Sequence, residues 1–436
     1  MTHRNRIVAD RLLGVPAAFM FNGLARALGA LMRRDHSMTA NNVRRVIVAK
    51  LLGMGSILQA TPLLRALKRR YPNARLTFVT MRSNQELVKR LEWVDEVVTL
   101  DDRNVLAMAI TTLRAVARLI RLRADLYFDL EVYSAFASLL ALWAATRNRI
   151  GFYRHSTAFK NGIYTHLVFF NTRMPVRRLY LQLGRVAGLP AGEPDTIGPI
   201  RVDEADRAGA QRVLSQLPHW QMGRPYIVIN PNASDLLLER RWPGDYVVET
   251  IRRLVASDQR VVLIGARDEQ PYVQGLVERL PAETRLGVAN TAGKLTLGEL
   301  LALLDGAACV LTNDSGPMHM AFALGRPTVC LFGPADPDHY GQKLPNVETL
   351  YMPVFCSPCL YEADQPPCRG ENVCMQRIRP ELVIHVVTRL TSNGICEART
   401  LAHEHSPDIP VVSETPSGNP LGVVVRASLR SADVSG

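Results

Sequence analysis

The sequence predicts an α/β protein built from two doubly wound, Rossmann-like domains that face each other across a cleft. Three observations predict this fold. The chain has 436 residues, which is about three times the usual length of one domain. Short β-branched runs alternate with helical patterns, as in parallel sheets, and this alternation occurs in two series. A stretch rich in proline and glycine around 189–199 separates the series and therefore marks a linker.

Each series supplies four predicted strands. The first series contains VIVAK, RLTFVT, EVVTL and LYFDL, and the second contains YIVIN, RVVLIG, CVLTND and PTVCLFG. We predict an arm over 1–42, a first domain over 43–195, a second domain over 196–396 with a closing C-terminal helix, and a disordered tail over 397–436. In such sheets ligands bind at the carboxyl ends of the strands, so the functional residues are expected there.

Composition narrows the class of protein. Hydrophobic residues make up 47% and charged residues 21%, which excludes a collagenous, low-complexity or wholly disordered chain. Seven cysteines are too few for a disulfide-stapled secreted scaffold and favour reduced thiols in a cytoplasm. The net charge of +12 predicts an anionic partner. Nucleic acid is disfavoured, because no recognised binding motif occurs and aromatic residues reach only 6%.

The N-terminal arm holds half of the excess positive charge. Up to residue 45 it contains eight arginines and two aspartates. Between Leu12 and Met32 the sequence is apolar except for Asn22 and Arg26, which fall on one helical stripe. This pattern predicts a helix in the membrane interface, which makes the protein peripheral to the cytoplasmic surface of the inner membrane. Three alternatives stay open: a spanning helix, a cleaved signal peptide, and a helix docked on the protein itself.

Polar groups cluster after two strands of the second series. The residues concerned are Asn230, Ser234, Arg240 and Arg241 after YIVIN, and Asp314, Ser315 and Gly316 at the end of CVLTND. Unpaired N–H groups at a helix start favour an anion, and arginine binds phosphate through paired charge-assisted hydrogen bonds. The two loops together predict a pyrophosphate site. The alternatives are ordinary helix capping by Asp314 and Ser315, and a solvated face for the two arginines.

The first strand of the first series ends in a glycine turn. Gly53 and Gly55 permit a tight turn with exposed backbone amides before a helix. The alternative is an ordinary helix start whose glycines only allow close packing. A second anion-binding turn is therefore one of two interpretations of this loop.

Several stretches resemble those of a known family. They are RRVIVAKLLGMGSILQATPLLRAL, the pair NPNAS and RRWP, AGKLTLGELLALLDGAACVLTNDSGPMHMAFALGRPTVCLFGPADP, and CSPC followed by CMQRI. In these stretches the chain resembles glycosyltransferase family 9, the ADP-heptose:lipopolysaccharide heptosyltransferases, which have the GT-B fold. The resemblance implies metal-independent, inverting transfer of heptose or a similar sugar. The implied donor is an ADP-heptose-like nucleotide sugar, and the implied acceptor is a lipid-linked or lipopolysaccharide-type saccharide of the cell envelope. No cofactor is required.

The resemblance also implies roles for single residues. It places Asp314, Ser315, Gly316 and His319 around the diphosphate and sugar of the donor, and it makes Arg240 the cation that stabilises the departing nucleotide diphosphate. Family members usually carry a Gly-Asp pair whose aspartate is the base, whereas this chain has Gly55 and Ser56 there. A serine hydroxyl is not a base at neutral pH, so the base must differ or the protein is not a standard member.

A carboxylate near the end of LYFDLE is the predicted replacement base. Asp129 and Glu131 lie on the same side of the strand, and the strand end opens toward the cleft. We predict that Glu131 takes the acceptor proton while Ser56 orients the acceptor hydroxyl, with Asp129 as the weaker candidate. The alternative for Glu131 is a structural ion pair with a basic residue such as Arg65.

Two other groups of residues carry predictions. The basic residues Lys160, Arg173, Arg177 and Arg178 are expected to meet an anionic glycolipid or saccharide acceptor. Cys356, Cys359, Cys368 and Cys374 have the spacing C-x2-C-x8-C-x5-C, which is compatible with a structural zinc site; the alternative is four reduced thiols. Two other functions stay open: a non-catalytic GT-B protein that binds nucleotide sugars or acts as a scaffold, and a sugar-nucleotide epimerase.

Overall fold

The computed structural model describes residues 10–32, 36, 43–217, 219–233, 237–360, 362 and 366–400. The predicted tail lies outside the described residues from 401 onward. The C-terminal helix ends at Thr400 and therefore includes the first four residues of the predicted tail.

The first half of the chain forms a six-stranded sheet in which every strand pairing is parallel. Its strands are β1 (Arg45–Ala49), β2 (Arg75–Met81), β3 (Glu96–Leu100), β4 (Leu126–Asp129), β5 (Asn148–Tyr153) and β6 (His166–Phe169). Their order across the sheet is β3-β2-β1-β4-β5-β6. The order therefore reverses between β1 and β4, which is the position where doubly wound sheets open a crevice for ligands.

The second half repeats this topology. Its strands are β7 (Tyr226–Asn230), β8 (Arg260–Leu263), β9 (Val288–Asn290), β10 (Cys309–Asn313), β11 (Thr328–Phe332) and β12 (Val347–Tyr351), again all parallel. The order is β12-β11-β10-β7-β8-β9, so the crevice opens between β7 and β10. The predicted α/β fold with two Rossmann-like sheets is confirmed.

Helices cover both sheets. Those of the first half are α1 (Val15–Met32), α2 (Met54–Gln59), α3 (Thr61–Arg70), α4 (Gln85–Lys89), α5 (Val105–Leu122), α6 (Ala135–Trp143) and α7 (Val176–Val186). Those of the second half are α8 (Glu204–Ser215), α9 (Gly244–Ala256), α10 (Gln270–Glu278), α11 (Ala282–Arg285), α12 (Leu297–Asp305), α13 (Gly316–Ala323), α14 (Pro337–Tyr340), α15 (Val373–Gln376) and α16 (Pro380–Thr400). Short 3-10 helices lie at Arg82–Asn84, His155–Lys160 and Leu238–Arg240.

The two domains are held together by buried contacts. One apolar cluster contains Ile57 of α2 and Met318 of α13, so the core continues from the first domain into the second. The segment between the domains is tied to both, because the Gly198 N–H donates to Thr61 Oγ1 at 2.8 Å and the Ile197 N–H donates to Gln342 Oε1 at 3.4 Å. The linker is therefore part of the domain interface.

The arm helix α1 docks on the first domain. A single π-helical turn, Asp10–Gly14, precedes it, and the Asp10 carboxylate accepts the N–H groups of Ala135 and Phe136 at the start of α6. Asn22, which was predicted to lie on the polar stripe of an interfacial helix, is buried and donates to the Phe159 carbonyl at 3.3 Å. Its side chain thus turns inward, where a backbone carbonyl accepts the hydrogen bond of the amide nitrogen. Of the helices in the described part of the chain, none combines the length and apolarity that a membrane span requires.

Candidate functional site

The two crevices face each other. Helix α2 follows β1 at the first crevice, helix α13 follows β10 at the second, and the two helices are in contact. The closest approach involves Gly55 and His319: a Cβ at Gly55 would lie 2.4 Å from His319 Cδ2. Only glycine fits there, so close packing between the domains accounts for the glycine at this position. The turn after β1 is shaped to receive the opposite domain.

The half of the site in the second domain, where the sequence predicted donor binding, contains a buried ion pair. The Arg240 Nη1 atom lies 3.4 Å from Asp314 Oδ2 and donates to the Asp314 carbonyl at 3.1 Å. Burial raises the pKa of the Asp314 carboxyl, and the Arg240 charge offsets that rise only in part. The pair joins the loop after β7 to the end of β10, as the sequence predicted from the two strand ends. It holds a guanidinium at the second crevice.

The amides at the start of α13 are left without a side-chain cap. Ser315 occupies the N-cap position but makes no capping bond to the helix. Its hydroxyl instead donates to the Asn313 carbonyl at 3.1 Å and accepts from the Asn230 side chain at 2.8 Å. By contrast, Thr296 caps α12 with its side chain. Gly316 adds no side chain, so the first-turn N–H groups of α13 are available to an anion.

His319 lies one turn into α13 and is buried. Burial lowers its pKa to about 3, and the charges of Arg177 and Arg240 add to this effect. The imidazole is therefore neutral at physiological pH. Its Nδ1 atom is buried without a hydrogen-bond partner among the described residues, which leaves one polar ring atom for a ligand.

Arg241 does not share the environment of Arg240. Its guanidinium stacks on the Tyr272 ring of α10 at 4.3 Å from the ring centroid, and its carbonyl accepts from the Asn372 side chain. The sequence predicted that both adjacent arginines bind phosphate. In the structure Arg240 lies beside Asp314, whereas the cation–π contact turns Arg241 toward α10. The predicted donor residue Ser234 lies outside the described residues.

The half of the site in the first domain, where the sequence predicted acceptor binding, is built on the glycine turn after β1. Gly53 has φ of 85°, a backbone conformation that favours glycine, and it precedes α2. Ser56, in the first turn of α2, lies beside the hydroxyl of Tyr180, a buried residue of α7. Burial raises the pKa of Tyr180, and the Ser56 hydroxyl offsets part of that rise.

Glu131 is held by three donors. Its Oε1 atom lies 2.8 Å from Lys50 Nζ and accepts the N–H groups of Leu51 at 2.8 Å and Leu52 at 3.1 Å. Burial alone raises the pKa of this carboxyl, but Lys50 and the two amides outweigh burial and bring it below its ordinary value. A carboxylate bound in this way is a weak base. The geometry therefore favours a structural role for Glu131, as the ion-pair partner of Lys50, over its predicted role as the base.

Arg65, the predicted alternative partner of Glu131, and Asp129, the alternative base, both make other contacts. Arg65 donates to the carbonyls of Pro194 and Thr196, in the linker. Asp129 is fully buried, accepts a hydrogen bond from the Tyr164 hydroxyl and lies 3.6 Å from Lys160 Nζ. Burial raises the pKa of Asp129. Asp129 is thus a core residue below the crevice.

The residues expected to bind an anionic acceptor fall into different environments. Lys160 is fully buried against Asp129, so its charge is not available to a ligand at the surface. Arg177 is also buried and donates to the Gly341 carbonyl in the second domain, and burial lowers its pKa. Arg178 is exposed and pairs with Asp195 at 2.9 Å. The structure therefore makes Arg177 an interdomain contact and corrects its role as a surface cation.

The four clustered cysteines are all free thiols. Burial raises the pKa of Cys359 to about 11, and the neighbouring Cys356, Cys374 and Cys368 add to the rise. In the described part of the chain, no three His, Cys, Asp or Glu side chains come together as a metal site would require.

Two members of the site were missed from the sequence. Lys50 ends the quoted run VIVAK, and the parallel pairing of Ala49 with Asp129 brings it beside Glu131. The lysine at the end of this first strand was the available signal. Tyr180 carried no signal, because its approach to Ser56 depends on how α7 packs against α3.

Known proteins resemble this chain in sequence and in fold. The chain is 34% identical to lipooligosaccharide heptosyltransferase 2 of Haemophilus influenzae over 116 residues. These residues make up 27% of this chain and 33% of that protein. It is 27% identical over 299 residues to lipopolysaccharide heptosyltransferase 3 of Escherichia coli, or 65% of this chain and 81% of that one. The structure of E. coli ADP-heptose lps heptosyltransferase II superposes with a TM-score of 0.66 at 21% identity, covering 80% of this chain and 99% of the other. The GT-B fold is confirmed.

The sequence model described as glycosyltransferase family 9 (heptosyltransferase) matches residues 113–368, which is more than half of the chain. This range contains both crevice strands of the second domain, the Arg240–Asp314 pair and Glu131. The chain belongs to glycosyltransferase family 9.

Proposed function

We propose that the protein is a metal-independent, inverting glycosyltransferase that moves heptose or a similar sugar from an ADP-heptose-like donor to a lipopolysaccharide-type acceptor. The observation that carries the proposal is the pairing of Arg240 with Asp314 beside the uncapped start of α13, directly opposite the glycine turn of the first domain. Relatives named as heptosyltransferases support the choice of sugar, and the name of the superposed E. coli enzyme includes ADP-heptose.

The donor half supplies the electrostatics that the reaction needs. Negative charge grows on the diphosphate as it leaves the sugar, and fixed cations and helix-start amides stabilise that charge without reorganising. In our proposal the Arg240 guanidinium and the first N–H groups of α13 bind the diphosphate. His319, neutral and buried, offers its unpartnered ring nitrogen to the sugar or the phosphate.

The acceptor half positions the attacking hydroxyl. We propose that Ser56 orients this hydroxyl from the first turn of α2, while Glu131 and Lys50 fix the turn that carries Ser56. The Glu131 carboxylate as base stays a prediction, and the three donors on it argue for the positioning role. Arg178 is the exposed cation that we retain for an anionic acceptor.

The cellular setting is part of the proposal. We place the enzyme in the cytoplasm at the surface of the inner membrane, where a lipid-linked saccharide is accessible. The zinc prediction at the four cysteines remains a prediction, and metal analysis of the purified protein tests it.

The experiment that tests the function is calorimetry with a panel of nucleotide sugars, followed by donor turnover with and without a saccharide acceptor. We expect ADP-heptose to bind more tightly than UDP- or GDP-sugars and ADP to be released only when acceptor is present. Binding without turnover would identify a non-catalytic scaffold. This is the second candidate function, and Ser56 at the expected position of the base is the reason for it. Conversion of the donor sugar without an acceptor would identify an epimerase.

A further inference from the structure

The layer of helices that contains α1 exposes many apolar side chains. On the arm these are Leu12, Leu13, Phe19, Met20, Leu24 and Leu31, and on α5 they are Val105, Leu106, Ile110, Leu113 and Ile120. Leu13 is 75% exposed and Leu113 is 71% exposed. Single exposed apolar side chains are ordinary on protein surfaces, but eleven of them on the arm and α5, within one layer, are not.

The two helices belong to one surface because both pack on α6. Helix α1 and the π-helical turn before it contact α6, and α5 contacts α6 from the same layer. Ala18 of α1 and Leu119 of α5 belong to the same buried cluster as Leu140 of α6. The inward faces are thus used by the protein's own core, and the outward faces of α1 and α5 form what we call the two-helix face.

The two-helix face reaches the edge of the sheet where the acceptor half of the site lies. Helix α5 follows β3 and α6 follows β4, so both begin at the carboxyl edge of the sheet. The carboxylate of Asp10 binds the first amides of α6, so the beginning of the arm lies at this edge too. Ser56 and Glu131 are at the same edge, at the ends of β1 and β4.

The charge on these helices identifies the occupant. Helix α5 carries Arg114, Arg118 and Arg121 and no acidic residue, and α1 carries Arg26 and no acidic residue. Arg118 pairs with Glu96 at 2.8 Å, while the apolar residues beside these arginines point outward. Apolar burial combined with basic side chains matches a bilayer with anionic headgroups. A second copy would instead bring two positively charged faces together.

We propose that α1 and α5 together form a lipid-contact face that seats the acceptor half of the site on an anionic membrane. The sequence predicted lipid contact for the arm alone. In this proposal the arm contributes the face opposite the buried Asn22, and α5 is a second lipid-binding element. This inference deepens the membrane partner of the proposed function, and its test measures lipid binding without turnover.

The test uses the full-length protein and flotation with vesicles of phosphatidylcholine, with and without phosphatidylglycerol. The variant Leu106→Ser/Leu113→Ser changes only exposed side chains of α5 and leaves the arm intact. We expect its partition onto phosphatidylglycerol vesicles to fall at least about tenfold, and wild-type binding to weaken as salt is raised. The matched control is Leu286→Ser, an exposed leucine of the second domain, which should bind as wild type does.

Three results would overturn the proposal. Unchanged binding by the α5 variant would assign lipid contact to the arm alone. Equal partition onto neutral and anionic vesicles would show that the basic side chains do not contribute to lipid binding. A wild-type dimer that becomes monomeric in the α5 variant would show that a second copy covers the face. A wild-type protein that binds vesicles but transfers no sugar would contradict the proposed function and leave this inference standing.

Discussion

The Glu131 carboxylate lies 2.8 Å from the Lys50 ammonium, and this ion pair connects the end of β4 to the end of β1. The same carboxylate accepts the N–H groups of Leu51 and Leu52, which begin the turn toward Ser56. The relationship explains how the turn after β1 keeps its shape at the crevice of the first domain. It also suggests the first prediction.

Glu131→Gln should destabilise the protein more than it slows the chemistry. Glutamine still accepts from Leu51 and Leu52 but leaves Lys50 without a charge partner, which costs about 3 kcal/mol for a buried pair. We expect a lower Tm and a fall in kcat/KM of about tenfold, with the acidic limb of the pH–rate profile in place. The double variant Lys50→Met/Glu131→Gln should recover part of the lost stability. A loss of about 10²-fold in kcat with that limb abolished, at unchanged Tm, would instead make Glu131 the base.

Arg240 and Arg241 should differ sharply although they are adjacent. Arg240→Ala removes the guanidinium beside Asp314, and we expect kcat to fall by about 10² to 10³-fold together with weaker ADP binding. Arg241→Ala removes a cation–π contact with Tyr272 and should lower Tm slightly while ADP binding is retained. Calorimetry with ADP and steady-state turnover separate the two. Equal loss of ADP affinity in both variants would show that both arginines bind the phosphates of ADP.

Gly55→Ala should impair the approach of the two domains. The added methyl group would lie 2.4 Å from His319 Cδ2, so the contact between α2 and α13 cannot form as it stands. The donor half is built entirely from the second domain, so we expect nearly normal ADP affinity and a large loss of kcat. Small-angle scattering should show a more open molecule. Normal turnover in this variant would mean that the interdomain contact is dispensable.

The stability of the protein should fall in acid partly through His319. Its folded pKa of about 3 lies below the ordinary value, so between about pH 6.5 and 3 the unfolded chain binds a proton that the folded chain does not. Stability from this group is complete above pH 6.5 and is lost as the pH falls toward 3. His319→Gln should therefore show a flatter decline of Tm between pH 7 and pH 4. Parallel declines in the two proteins would show that folding does not lower the pKa of the imidazole.

Much of the fold was predictable because its signals are local. The runs from VIVAK to LYFDL and from YIVIN to PTVCLFG became the predicted strands, whereas β5, β6, β9 and β12 were missed. The β5 sequence NRIGFY contains polar residues and a glycine, and β6 has only four residues, so neither gives a clear pattern.

The site was predictable where it depends on strand ends and not where it depends on packing. Arg240 and Asp314 meet because β7 and β10 are neighbours, and both follow those strands. The Lys50–Glu131 pair joins residues about 80 positions apart and requires the exact register of β1 on β4. The inward turn of Asn22 could not be predicted, because periodicity identifies a stripe but not which side of it faces the core.

The central claim is most directly tested by a transfer assay with the full-length protein, ADP-heptose, and lipopolysaccharide from heptose-deficient cells, in the presence of EDTA. Mass spectrometry of the acceptor and measurement of released ADP are the readouts. We predict that the acceptor gains one heptose for each ADP released and that EDTA leaves the rate unchanged. ADP-heptose that binds but is neither consumed nor transferred, or a rate abolished by EDTA, would contradict a metal-independent heptosyl transfer at this cleft.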